Sequence, residues 1–290
     1  MKKHVFIGIL SISHSAYADL PLTVENLISD KGKVTMELGM TYGNNKVNNT
    51  KVGGYIPVQI SDTSFVNVPI IKNEQLQNEY IIGNIGIKYG LLKNLDINIR
   101  TNLLYSSTRF IDINSLEKSK TNTDIADISI GANYQLLQDA KYPALVGFIE
   151  TAILEKLENK NSNFSSWTAG LTTYRSYDPI VLSLTTGYKY NLKRSISENA
   201  DYKPANLFFM NPQVAFSAND RISLIAGLNL KIIDNQKLNE IIVEKKRNNL
   251  DYTFGMGYGI SDNSNLNLIA TIRQDFNNSS EIRLNYNHKF

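Results

Sequence analysis

From Val34 onward, apolar and polar residues alternate with period two through twelve segments, each about ten residues long, the length a tilted strand needs to cross a bilayer. They span 34–43, 79–91, 95–107, 124–137, 143–155, 165–177, 179–192, 206–217, 221–232, 248–260, 264–274 and 280–290. In the seventh, Leu182, Leu184, Thr186, Tyr188 and Tyr190 alternate with Ser183, Thr185, Gly187, Lys189 and Asn191. In the tenth, Leu250, Tyr252, Phe254, Met256 and Tyr258 alternate with Asp251, Thr253, Gly255, Gly257 and Gly259. Glycine and hydroxyl residues on one face, with bulky apolar residues on the other, predict a wall whose greasy side faces outward. Pro212 interrupts the eighth segment and predicts a bulge or local distortion, because it cannot donate to a ladder.

The connections settle the class. Tight turns follow the even segments, at 92–94, 138–142, 178, 218–220 and 261–263, whereas longer polar loops follow the odd ones. Short periplasmic turns and long extracellular loops belong to bacterial transmembrane barrels; a soluble sandwich has no cause to alternate so regularly. An even strand number puts both ends of the wall on the periplasmic side. Tyr89, Tyr134, Tyr177, Phe216, Tyr258 and Phe290 fall at the periplasmic ends of segments, while Tyr42, Tyr105, Tyr190, Phe208 and Tyr252 fall towards the opposite ends, as two interfacial belts require. The expected fold is therefore all-β: a transmembrane antiparallel β-barrel of about twelve strands over residues 34–290.

What precedes the barrel fixes the compartment. Lys2 and Lys3, an apolar run over residues 5–12 and Ala16-Tyr17-Ala18 read as a signal peptide over 1–18. With no cysteine in the chain, neither lipid anchoring at a cysteine nor a disulfide framework is expected. Between them, residues 19–33 form a plug or leader. Thr23 as cap, Glu25 in the first turn, Gly32 as stop, and Val24, Leu27 and Ile28 on one face predict a short helix over 23–32, and those three apolar residues are the plug candidates.

Composition narrows the chemistry. Thirty basic and 27 acidic residues nearly cancel, so no basic field exists to attract nucleic acid. The slightly negative mean hydropathy is what alternation of lipid-facing and lumen-facing residues produces. Beyond the leader the only histidine is His288, which parity places on the lipid face, so no catalytic residues, metal site or cofactor are expected and the chain is not read as an enzyme. Parity projects Glu37, Lys88, Asp96, Arg100, Asp127, Lys189, Arg221, Lys231, Asp251, Arg273 and Arg283 into the lumen as pore candidates, most of them expected in wall salt bridges. Strands ~4.8 Å apart and tilted ~40° give a backbone diameter on the order of 24 Å and a clear bore of ~10 Å.

Three stretches carry a family resemblance. Glu25-Asn26-Leu27-Ile28-Ser29-Asp30-Lys31-Gly32-Lys33 running into Glu37-Leu38-Gly39-Met40-Thr41-Tyr42, then Asn84-Ile85-Gly86-Ile87-Lys88-Tyr89-Gly90-Leu91, then Asp178-Pro179-Ile180-Val181-Leu182 with Gly187-Tyr188, resemble a broad family of outer-membrane transporters labelled after phenol meta-pathway clusters. That family is similar in turn to the twelve-stranded channels that export functional-amyloid subunits. The final segment also resembles the closing strand of outer-membrane barrels, which implies Tyr286 and Phe290 as an assembly signal read by the barrel assembly machinery. The resemblance implies an outer-membrane channel passing small, hydrophobic or aromatic molecules. The alternatives are export of an unfolded fibre subunit and a structural or adhesive barrel acting through its loops. Outer-membrane lipid and a small-molecule or unfolded-polypeptide cargo are the expected partners, and a homo-oligomer stays open. The loop over 44–78 contains two apolar stretches, 55–60 and 64–70, expected to form an extracellular hairpin that acts as lid, gate or binding surface. If the terminal aromatic is an assembly signal, deleting Phe290 lowers the amount of membrane-inserted barrel on heat-modifiability gels; unchanged levels would refute that role.

Overall fold

The structure, a computed structural model, describes residues 27–48, 54–70, 75–111, 117–157, 160–197, 200–273 and 279–290. The expected signal peptide, and Val24 of the expected plug, lie outside these residues. Twelve antiparallel strands make the wall: β1 Val34–Asn48, β2 Gln75–Leu92, β3 Leu95–Ile111, β4 Glu117–Leu137, β5 Ala144–Leu157, β6 Ser166–Tyr177, β7 Ile180–Asn191, β8 Leu207–Asn219, β9 Ile222–Ile233, β10 Arg247–Ser261, β11 Ser264–Arg273 and β12 Ser280–Lys289. Each pairs with its sequence neighbour, and β12 returns to β1 from Thr35↔Lys289 to Asn44↔Ser280, so the sheet has no free edge. Closure is the condition for a sheet to sit in hydrocarbon, where nothing satisfies an unpaired N–H or C=O.

Side-chain direction follows the expected parity. Met40, Ile85, Ile99, Leu182, Phe254 and Ile272 stand exposed on the outside, and all eleven residues of the two expected aromatic belts are exposed there too. So continuous an apolar surface has one stable environment, the acyl region of a membrane. Two register shifts re-aim the wall. A bulge between Asn102 and Leu103 turns both Ala126 and Asp127 of β4 inward, and a second, at Ile128/Ser129, brings Glu155 of β5 onto the inner face. Pro212 behaves differently from a bulge. The β8–β9 ladder lapses at Asn211 and Pro212, then resumes at Gln213↔Gly227 in the register held by Met210↔Leu230, so the missing donor costs pairing without shifting it.

The segment ahead of β1 departs from expectation. No helix occurs among the described residues. Instead the Ser29 N–H donates to Asp96 Oδ2 at 3.0 Å, Lys31 bridges Gly90, and the Gly32 N–H donates to the Gly90 carbonyl at 2.7 Å. Partners on the wall outcompete the one and a half turns a helix would supply. Gly90 permits the approach: a Cβ there would lie 2.0 Å from the Asp30 carbonyl oxygen. Leu27 packs on Ala144, Tyr174 and Val181 across the periplasmic mouth, and Ile28 is half-buried.

The core of the molecule lies inside the barrel. The loop after β1 forms the expected hairpin, Gly54–Gln59 with Phe65–Ile70, but it folds down into the lumen rather than standing outside. Its Ile56, Val58, Ile60, Val66 and Val68 pack against Tyr80, Ile82, Leu104 and Ala126 of the inner wall. These apolar faces of loop and wall are hidden from water only when placed together. Above them, four short strands, Arg194–Ser197, Ala200–Lys203, Gln236–Leu238 and Ile241–Glu244, form a cap sheet.

Close approach between strands makes a second glycine testable. A Cβ on inward-facing Gly170 would lie 2.1 Å from the Thr186 carbonyl oxygen and 2.6 Å from the Phe148 ring, whereas one on outward-facing Gly83 meets nothing within 4 Å. Gly170→Val is expected to remove most of the heat-modifiable species, and Gly83→Val to leave it intact.

The occluded lumen as candidate functional site

The hairpin tip, residues 60–64, reaches the level of Arg100, whose row across the wall includes Gly86 and Glu37. Five strands hold it there. Arg100 donates to the Ser64 hydroxyl, which donates to the Glu150 carboxylate at 2.9 and 3.1 Å. Lys189 donates from Nζ to the Phe65 carbonyl at 2.8 Å, Asn211 donates to the Asp62 carbonyl at 3.2 Å, and Arg283 lies 3.6 Å from the Asp62 carboxylate. Higher up, Asn67 donates to Glu155 at 2.8 Å and Asn78 to the Pro69 carbonyl at 3.3 Å. At the hairpin's base the Tyr55 N–H donates to the Gln236 side-chain carbonyl at 3.1 Å, and the Gln236 side-chain amide donates back to the Tyr55 carbonyl at 2.6 Å, under the cap sheet. Tyr202 of that sheet also donates to Gln236 and tilts its ring against Tyr55, and burial pushes the Tyr202 phenol well above its ordinary pKa.

Apolar contacts hold the other side of the hairpin. Phe65 packs with Phe148, Leu207, Phe209 and Ile233, its ring centroid 4.9 Å from that of Phe209. The extracellular half of the lumen is thus lined by Tyr80, Ile82, Leu104, Leu207, Phe209 and Ile233, with Phe148 nearer the tip, and the hairpin fills it. Below the tip and above Leu27 a cavity of about 160 Å³ remains. The ~10 Å bore expected from strand number is therefore absent from this conformation: a barrel of this diameter needs filling, and the loop supplies it.

The pore candidates separate clearly. Glu37, Lys88 and Arg100 meet beside the cavity, with Lys88–Glu37 at 2.6 Å, Arg100–Glu37 at 3.5 Å and Arg100–Glu150 at 3.0 Å. Lys231 pairs with Asp251 at 2.9 Å, and Arg273 pairs with Glu281, which also accepts from the Tyr80 hydroxyl at 2.5 Å. Asp127 accepts from Asn102 at 2.7 Å, and Asp96 anchors Ser29. Lys189 and Arg283 serve the hairpin. Arg221 is the exception: it lies exposed in the turn between β8 and β9, one residue before β9 begins.

Four carboxylates at the site were not on the expected list. Glu281 shares parity with Arg283 and was legible by that signal. Glu150 sits in a strand whose inner face is otherwise Ala144, Val146, Phe148 and Ala152, which blurs the alternation. Glu155, paired with Arg194 at 2.5 Å, faces inward only because of the bulge, and Asp62 arrives on the folded loop. On the outer face, His288 lies across the ladder from Ser264, Nδ1 to Oγ 2.7 Å, between the rings of Tyr286 and Phe290. Among the described residues no group of three or more His, Cys, Asp or Glu is placed to hold a metal.

The fold has counterparts. An outer membrane channel from Pseudomonas putida F1 superposes with a TM-score of 0.64 at 10% identity, covering 95% of this chain and 98% of that one. The translocator domain of the autotransporter NalP from Neisseria meningitidis matches with a TM-score of 0.56 at 11% identity, covering 90% of each chain. The transport unit of the autotransporter AIDA-I from Escherichia coli matches at 0.52 and 12%, covering 90% of this chain and 91% of that one. No protein-family model matches the sequence, and no curated protein does. The chain has the fold of an outer-membrane β-barrel.

Arg100 is the charge on which the tip depends. Arg100→Met leaves Glu37 and Glu150 sharing less positive charge in a buried site, and is expected to cost about 3–5 kcal/mol, read as a lowered urea midpoint of the folded barrel in micelles and faster protease cleavage of the hairpin. Lys193→Met, in an exposed ion pair with Asp201 and Glu240 on the rim, is expected to shift neither measurement.

Proposed function

We propose that the chain is a channel of the bacterial outer membrane that passes small hydrophobic or aromatic molecules, with the hairpin of residues 54–70 as its gate. The observation that carries this reading is the apolar inner face of the extracellular half, where Ile82, Leu104, Leu207, Phe209 and Ile233 stand at positions that a water-filled diffusion pore fills with polar groups. With the hairpin withdrawn, those side chains form a greasy chamber leading down to a short polar stretch. The likeness in fold to an outer membrane channel supports the same reading.

Gating by the hairpin follows from how it is held. Each polar contact at its tip is a single side chain on a separate strand, so the wall keeps its own ladder when the tip leaves. A few kcal/mol of differential interaction suffices to shift such an equilibrium. The segment at the periplasmic mouth is a second closure, pinned through Ser29 to Asp96 and through Leu27 to Ala144, Tyr174 and Val181. The family likeness seen in the glycine and tyrosine stretches, including its relation to functional-amyloid exporters, is part of this proposal. Export of an unfolded polypeptide requires the hairpin to stay clear throughout transit, and the apolar lining gives a small solute the better account.

Whole cells producing the chain are expected to accumulate labelled toluene several-fold faster than cells without it. Ile82→Asn combined with Phe209→Asn should lower that rate while heat-modifiable barrel persists. Replacing residues 55–70 by a short Gly-Ser linker should raise ion conductance in planar bilayers. Equal toluene accumulation with and without the chain refutes the channel reading.

A further inference from the structure

The cavity under the hairpin tip has features that the gate alone does not explain. Arg283 enters it with an ion pair that is too long for a hydrogen bond, 3.6 Å to the Asp62 carboxylate, and its buried Nε has no partner among the described residues. A guanidinium offers a fork that a carboxylate fills with two short parallel bonds, and Asp62 leaves that fork largely unused. Asp62 is tethered to the tip by the Asn211 contact to its carbonyl, which accounts for its poor reach.

Leu27, Ile60, Phe148 and Ile269 give the cavity part of an apolar wall, and its other charged groups, Glu37, Lys88, Arg100 and Glu150, are paired with one another. Its volume of about 160 Å³ is close to the ~150 Å³ of an engineered apolar cavity that takes up benzene. The space therefore suits one ring with an anionic head at Arg283.

We propose that this cavity binds a small organic monocarboxylate about one ring in size, and that the ligand takes the place of Asp62 on Arg283 and so releases the hairpin. Asp62 is then a tethered stand-in for the ligand, and binding and opening are one exchange of carboxylates. The proposal rests on the channel reading for the meaning of the opening, but the binding site stands on its own geometry. No charge is left buried and unpaired in either state: with the tip seated, Asp62 faces Arg283; with it withdrawn, the ligand does.

The test uses the full-length barrel in micelles titrated with benzoate, benzamide and toluene by calorimetry, and the same protein in planar bilayers. Benzoate is expected to bind at least about tenfold more tightly than benzamide, the increment of one charged hydrogen-bonding partner, and to raise the open fraction. Asp62→Asn removes the internal competitor and should tighten benzoate binding about tenfold while raising the open fraction without ligand. Arg283→Gln, checked for heat-modifiability, should abolish the preference for benzoate, and Arg283→Lys should retain part of it. If Arg283→Gln fails to fold, Asp62→Asn on the loop decides. Equal binding of benzoate and benzamide, or an Asp62→Asn variant with unaltered benzoate affinity, overturns the carboxylate site and leaves the toluene channel standing. A barrel that binds benzoate as expected while its producing cells accumulate no extra toluene overturns the channel reading alone.

Discussion

Backbone pairing is the constraint from which everything else here follows. In hydrocarbon an unpaired N–H or C=O has no water to turn to, so the sheet must close, β12 on β1, before any of its outward Ile, Leu and Tyr side chains can meet lipid. Closure with twelve strands then creates an interior too wide for wall side chains to fill by themselves. Such an interior is either water-filled or packed by another part of the chain. The loop after β1 takes the second course, and its Val58 and Val68, both fully buried, become core residues of a molecule that otherwise wears its apolar side outward.

That inversion explains how charge is distributed inside. Where the hairpin presents apolar side chains, the wall answers with Tyr80, Ile82, Leu104 and Phe209. Where the hairpin ends, its exposed backbone and its Ser64 and Asp62 side chains need polar partners, and Arg100, Lys189, Asn211 and Arg283 are supplied from four separate strands. The ion pairs away from the hairpin, such as Lys231 with Asp251, satisfy charges within the wall itself. A buried pair of that kind adds little net stability, but removing either partner is costly, so these pairs fix the inner geometry more than they strengthen it. The tip contacts differ because one side of each belongs to the loop rather than to the wall.

The two ends of the lumen are closed by different means. At the periplasmic mouth a few backbone hydrogen bonds along Gly90 and one leucine hold the entering chain. At the extracellular side an apolar cluster, a polar clamp and a cap sheet act together. The heavier closure thus lies on the extracellular side, and the small cavity sits between the two.

Period-two alternation by itself determined the strand number and the outward-facing aromatic and aliphatic residues, because lipid on one side and water or protein on the other impose opposite demands on successive residues. Ten of the eleven charges named from parity have inward-facing side chains in the structure. The alternation could not reveal Glu155, which a bulge turns inward, or place Arg221, which sits at the turn where parity ends. Helix signals at Thr23 and Gly32 misled over residues 27–32 because local propensity ignores the backbone partners that Asp96 and Gly90 offer. Above all, the apolar stretches around Val58 and Val68 announced a hairpin but not its side of the membrane. Whether such a hairpin stands outside or folds inward depends on an apolar inner wall contributed by β2, β3, β4, β5, β8 and β9 together, and strands so far apart in the chain meet only once the barrel has closed.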